Sequence, residues 1–153
     1  MKLEDHHMHT IPHYLACELL ETHAYGIQIL TAVTAHTTDS LLITEIHRKS
    51  KELRLMNTRV ITLEGNITGF TIHSSNNYVL TTTDEGLIVV HALTSGEMVG
   101  LIEIDASAKG CFQDPSGLYV GTVVAAEDGR YTRLQMYELG TGNKATEMNK
   151  LHS

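Results

Sequence analysis

Tryptophan is absent from this 153-residue chain, and aromatic residues of all kinds make up only 5% of it. A core built from such a sequence has to be filled by aliphatic side chains and threonine rather than by ring contacts. Cysteine is almost as scarce. Cys17 and Cys111 cannot make a disulfide framework, and two free thiols in a reducing compartment is the reading adopted. Positive charge is also short, with 11 Lys and Arg against 18 Asp and Glu, a net charge of -7. That balance argues against nucleic acid as a partner, because phosphates call for a basic face. It leaves open a basic protein surface. No apolar run of roughly 18 residues occurs, so no membrane-spanning helix is expected. The opening Met1–His7 has no apolar h-region, so no signal peptide is expected either. The expected location is the cytoplasm or an intracellular assembly. Hydrophobic content of 42% is enough to pack a core of single-domain size, or a piece of a larger one.

What is present is an internal repeat. Leu118–Thr122 reads Leu-Tyr-Val-Gly-Thr, and Asn77–Thr81, 41 residues earlier, reads Asn-Tyr-Val-Leu-Thr. The same offset pairs Gly69 with Gly110, Ser75 with Ser116, Tyr78 with Tyr119 and Thr81 with Thr122. After a short insertion in the later copy, Glu85-Gly86 matches Asp128-Gly129, Leu93 matches Leu139 and Gly96 matches Gly142. A unit of about 40–45 residues made of strands and tight turns is the period of a β-propeller blade.

Taken in order, residues 1–23 stand apart as a His-rich segment, partly disordered or capping the array. Within it, Tyr14–Glu21 reads either as two helical turns or as a strand completing a neighbouring sheet. From Gly26 branched residues dominate. The first copy, residues 24–67, is expected to hold strands at Ile27–Thr34, Leu41–Ile46, Leu53–Met56 and Val60–Leu63. Leu41–Thr44 then falls opposite Tyr78–Thr81, and His36 opposite His73. The second copy, 68–106, is expected to hold Gly69–His73, Tyr78–Thr83, Leu87–Leu93 and Met98–Ile104. The third, 107–153, is expected to hold Lys109–Phe112, Leu118–Ala125, Arg133–Leu139 and Lys144–Lys150. Turn chemistry separates them: Asp84-Glu85-Gly86 is an acidic-Gly hairpin, and Asp114-Pro115-Ser116-Gly117 places Pro and Gly where a turn needs them. The continuous apolar run Leu87–Leu93 suits a strand buried on both faces.

The string Asp114-Pro115-Ser116-Gly117-Leu118-Tyr119-Val120-Gly121-Thr122, then Asp128-Gly129, then Leu134–Gly142, resembles a WD40 repeat. So does the second copy at Ser75, Tyr78-Val79, Asp84–Gly86, Val89-Val90 and Leu93–Gly96. The first string also looks like those of WD40 scaffolds of the centrosomal, kinase-binding type. The resemblance implies an all-β chain of about three four-stranded antiparallel blades of a WD40-type propeller, an incomplete ring. It also implies a cytoplasmic place, with association to centrosome or cilium. Two departures are plain. His91-Ala92 and Tyr137-Glu138 stand where the family has Trp-Asp, and the Gly-His pair before the first strand is missing. The family's hydrogen-bonded Asp–His–Ser/Thr–Trp network is therefore not expected. Three blades also do not close a ring, since propellers use about 4–8, and an open set leaves apolar sheet faces wet. The chain is thus expected to belong to a longer protein, or to associate with other chains, including copies of itself if it is complete as given.

Candidate chemistry is thin. His6, His7, His9 and His13 could hold Zn²⁺ or Cu²⁺, but no CxxC or HExxH spacing supports them, and a solvated tail is the reading preferred. His36, His73 and His91 suit packing or turn hydrogen bonds. Neither a GxSxG elbow nor a phosphate loop is present, and Cys111 suits a small core residue. No catalytic residue, cofactor or metal is expected. The residues expected to touch partners are the charged hairpin tips: Arg48, Lys49 and Lys51; Asp84 and Glu85; and Glu127, Asp128 and Arg130. The function expected is a non-catalytic protein–protein interaction scaffold. Its rivals are a propeller enzyme or small-molecule binder with its site at the central channel, and a self-contained small β-sandwich.

Overall fold

The computed structural model describes residues 17–140 and the backbone of 144–148. The chain divides into two compact units, Met1–Thr62 and Leu63–Ser153. Among the described residues every regular element is a strand, and every strand pairing is antiparallel.

The first unit holds one sheet of four strands in sequence order: β1 (Glu18–Ala24), β2 (Ile27–Thr37), β3 (Ser40–Lys49) and β4 (Glu52–Thr62). Tyr25 and Gly26 link β1 to β2 with φ of 52° and 76°. Two left-handed residues in a row give the turn that matches strand twist. Tyr25 is fully exposed there, and its lack of Asn or Asp character hides the hairpin in the sequence.

That hairpin shifts the expected order of the first copy by one strand. Tyr14–Glu21 resolves, over its described part, into strand rather than helix, and the boundary expected at residue 23 falls inside β1. Ile27–Thr34 is the second strand. Leu53–Met56 and Val60–Thr62 are joined in the single strand β4, with Leu63 just past its end; Asn57, Thr58 and Arg59 pair with Glu45, Thr44 and Ile43, and the register shifts at Met56. An edge strand tolerates polar residues on either side. Leu41–Thr44 therefore lies in a third strand, whereas Tyr78–Thr81 lies in a second strand. Nor does His36, within β2, correspond to His73, which precedes the second strand of its own sheet.

The second unit holds two sheets. One runs β5 (Ile67–Ile72), β6 (Tyr78–Thr83), β7 (Leu87–Ala92) and β8 (Met98–Glu103). The other runs β9 (Ala108–Gln113), β10 (Tyr119–Ala125), β11 (Tyr131–Glu138) and β12 (Lys144–Met148). The repeat is reproduced bond for bond. The His73 N–H donates to the Tyr78 carbonyl at 2.8 Å, and the Asp114 N–H to the Tyr119 carbonyl at 3.3 Å. Leu93 N–H reaches Asn77 O at 2.9 Å, and Leu139 N–H reaches Leu118 O at 2.8 Å. Both turns need a left-handed residue at one place, filled by Asn76 (φ 67°) in one and Gly117 (φ 75°) in the other.

The two sheets share a core of Leu80, Ile88, Ile102, Ala108, Val120, Val124 and Tyr137. Leu80 and Ile88 are wholly buried, which stabilises by about 1.5–3 kcal/mol each. The sheets meet most closely where β5 passes β9. A Cβ on Gly69 would stand 2.7 Å from the Cys111 nitrogen and 2.8 Å from backbone atoms of Gly110. Backbone against backbone at that distance allows no side chain. Carbonyls brought this close are satisfied by threonine. Thr68 Oγ1 donates to Ala108 O at 2.8 Å and Thr82 Oγ1 to Gly110 O at 3.1 Å. Gln113 closes one end of the joint. Its Nε2 donates to Ile72 O at 2.7 Å while its Oε1 accepts from the Ser74 N–H at 2.9 Å.

Gly69→Ala is expected to lower unfolding free energy by about 1–3 kcal/mol, the cost of overpacking against atoms that cannot move aside. Gly140→Ala, where an added Cβ meets nothing within 4 Å, is expected to stay within about 0.5 kcal/mol. Urea titration of both variants against the parent chain checks the difference.

Candidate functional site

The three charged tips expected from the sequence all occur at hairpin turns, but they differ in what holds them. Arg48, Lys49 and Lys51 occupy the β3–β4 turn of the first unit, where Ser50 takes a φ of 58°. All three are exposed, and the Arg48 Nε donates to Ser50 O at 3.4 Å. In the second unit, Asp84 and Glu85 stand at the β6–β7 turn. Asp84 is not a free charge. One carboxylate oxygen accepts from the Asn66 N–H at 2.7 Å, the other from the Asn66 side-chain amide at 3.0 Å, and the Asp84 N–H returns a bond to Asn66 O at 2.9 Å. It ties the strand entering this sheet to the hairpin, so its role is structural. Glu85 is exposed beside it.

Glu127, Asp128 and Arg130 stand at the equivalent β10–β11 turn, all exposed. Asp128 accepts from the Arg130 N–H at 3.0 Å and from its guanidinium at 2.8 Å. Those bonds, the backbone one foremost, hold its carboxyl below the usual value. The pair is solvated and contributes little stability. Its effect is to shape the loop, which leaves Glu127 as the charge directed to solvent.

Sequence reasoning missed a groove between the two sheets of the second unit. His73, Tyr78, Leu80, Val90 and Val99 line one side; Leu118, Tyr119, Glu138 and Leu139 line the other, around a volume of about 580 Å³. Its walls come from two repeat copies, and among the lining residues Tyr78 and Tyr119 stand at corresponding positions. The tyrosine twins Tyr78 and Tyr119 were its one visible signal. His73 is fixed at the edge. Its Nε2 lies 2.7 Å from Gly117 O, and its Nδ1 lies 3.1 Å from the Ser75 nitrogen. A carbonyl only accepts and a backbone N–H only donates, so the ring proton sits on Nε2. Asp114, at the position equivalent to His73, turns its carboxylate to Ser116 and the Tyr119 N–H. Those hydrogen bonds, Ser116's first, hold it below the ordinary carboxyl value.

His91 and Tyr137 occupy corresponding places on the third strands of the two sheets of the second unit. Each lies across its ladder from a valine, Val79 and Val120, and both are buried, at 6% and 5% exposure. Tyr137 donates to Gln135 Oε1 at 3.1 Å. His91 Nδ1 has no partner, and burial pushes its pKa below the ordinary 6.5. Cys111 packs against the shared core, and Cys17 is exposed; neither forms a disulfide. Among the described residues no group of three or more His, Cys, Asp or Glu side chains comes together. The cluster His6, His7, His9 and His13 lies outside the described residues.

No protein-family model matches the chain, and no curated protein matches it.

His91 makes a pH dependence of known sign. Its folded pKa lies below the unfolded value, so the unfolded chain takes up the proton first as pH falls. Its contribution is complete above pH 6.5 and declines as pH drops below that value. Thermal melts at pH 7.5 and pH 5.5 are expected to show a smaller loss in His91→Phe than in the parent chain.

Proposed function

We propose that this chain is a non-catalytic protein–protein interaction scaffold, built of WD40-like blades that form part of a β-propeller. The observation that carries the reading is a division of labour at the turns. Bonds within the fold are made by Asp84, Asp114, Asn66, Thr68, Thr82 and Gln113. Lys49, Lys51, Glu85 and Glu127 are exposed at the turn tips and do none of that work. A rigid framework whose turn residues are free to vary is a physical arrangement suited to binding. Four-stranded antiparallel sheets, repeated at the blade period within the second unit and joined there through β5 and β9, support the propeller reading. So does the burial of His91 and Tyr137 where the family places tryptophan.

The partners are proteins, or further blades of a longer chain, rather than nucleic acid or membrane. The partner surface is of mixed charge, with acidic groups to meet Lys49 and Lys51 and basic groups to meet Glu85 and Glu127. The place is the cytoplasm, with centrosome or cilium association following only from the WD40-scaffold resemblance.

Reversing the tip charges tests this. Lys49→Glu with Lys51→Glu, and separately Glu85→Lys with Glu127→Lys, are expected to reduce capture of bound proteins from a cell extract at least several-fold. Their melting temperatures should stay within about 2 °C of the parent, as for surface substitutions. Asp84→Ala, which strips both bonds to Asn66, is expected to lower stability by about 1–3 kcal/mol. Melting temperatures that fall in step with capture at Lys49 or Glu85 would show those tips to be structural instead.

A further inference from the structure

The outer side of β4, in the first unit, is an open strand edge. β3 pairs with one side of β4, and among the described residues no strand lies on the other. Every residue from Glu52 to Thr58 is exposed. Native edges are commonly blunted by proline, by lysine or by a bulge. β4 has no proline and no lysine, and its register shifts only at Met56, so the run Glu52–Leu55 is regular and open. The register also sorts the side chains of that run. Leu53 and Leu55, opposite Arg48 and Ile46, stand on one face of the sheet, and each is 64% exposed. Glu52 and Arg54, opposite Lys49 and His47, stand on the other face. Arg54 comes within 3.5 Å of Glu52, but with side chains 71% and 74% exposed that pair contributes little. His47 Nε2 is engaged by Glu45 at 2.9 Å. Lys49 has no acid partner among the described residues. The stretch from Arg48 to Arg54 sets Arg48, Lys49, Lys51 and Arg54 against the single acid Glu52, in a chain whose net charge is -7.

We propose that the β4 edge takes a further strand from a partner protein, an extended segment in which acidic residues alternate with apolar ones. Main-chain bonds to an open edge supply the affinity of such a contact, and alternate side chains supply its selectivity. Successive side chains of an added strand point to opposite faces, as those of β4 do. Its apolar residues then lie beside Leu53 and Leu55, and its acids beside Lys49 and Arg54. Opposite charges at neighbouring cross-strand places favour pairing and like charges oppose it, so the excess of bases around this end of β4 selects an acidic segment over a basic one. An added strand of this kind gives the partner in the interaction-scaffold reading, on which it rests, a definite chemistry at the Arg48–Lys51 tip.

Fluorescence anisotropy on the full chain tests this. The probe is a labelled peptide alternating Glu and Val. Its controls are the same peptide with Lys in place of Glu, and the Glu peptide N-methylated throughout, which keeps the charges and leaves no backbone donor. The Glu peptide is expected to bind saturably, and each control to bind more weakly by at least about tenfold. Arg54→Glu, at an exposed position, is expected to weaken the Glu peptide several-fold without changing the melting temperature. An N-methylated peptide that binds as tightly as its parent overturns the proposal, because the attraction is then between charges alone. So does a Lys peptide that binds equally well, or a Glu peptide with no saturable binding. In each of these cases the charge reversals at the tips still decide the interaction-scaffold reading, since they measure capture of proteins and not of this peptide.

Discussion

The second unit depends on two backbones lying against each other. β5 and β9 approach so closely at Gly69 and Gly110 that no side chain fits between them, and this contact sets the spacing of everything outward. With the first strands in contact, Leu80 and Ile88 from one sheet reach Val120 and Val124 of the other, and the core closes without aromatic bulk. Close approach also puts carbonyls of one sheet within reach of hydroxyls from the other. Thr68 and Thr82 answer that need. Gln113 then bonds backbone donor and acceptor of the neighbouring sheet at once, and fixes the sliding of one sheet along the other.

The third strand of each sheet in the second unit buries a polar ring at one and the same place. The ring is a histidine in one copy and a tyrosine in the next. Tyrosine satisfies its hydroxyl on Gln135 and keeps most of the apolar area. Histidine suits the place less well, since burial opposes its charged form and one ring nitrogen finds no partner. On the same face of its sheet His91 is accompanied by the buried aliphatics Val79 and Val89.

The turns show how the same geometry can be reached by different chemistry. His73-Ser74-Ser75-Asn76 and Asp114-Pro115-Ser116-Gly117 share their backbone bonds, although they agree in sequence only at the serine. A side-chain acceptor at the first position and a left-handed residue at the fourth are the real requirements, and histidine or aspartate, asparagine or glycine, meet them equally. The charged tips divide in the same way. Asp84 and Asp128 read in the sequence as solvated acids like their neighbours, but each is taken up by a nearby donor, and only the bonded partner reveals it.

Much of the strand order was legible before any coordinates. Tyr78–Thr83 begins and ends where its pattern says, Leu87–Leu93 and Met98–Ile104 to within a residue, because alternation, acidic-Gly turns and the 41-residue offset are local properties of the chain. The first copy was not legible in the same way. Its opening hairpin turns on Tyr25-Gly26, and its last strand runs through a polar stretch that only an edge position permits. What the sequence determined by itself is the all-β character, the repeat and the turn chemistry, since these depend on residues within a few positions of one another. Only the tertiary structure decided which charges are spent on folding, where β5 meets β9, and how two tyrosines 41 residues apart come to line one groove. Those outcomes depend on distances between strands, and spacing along the chain carries no measure of them.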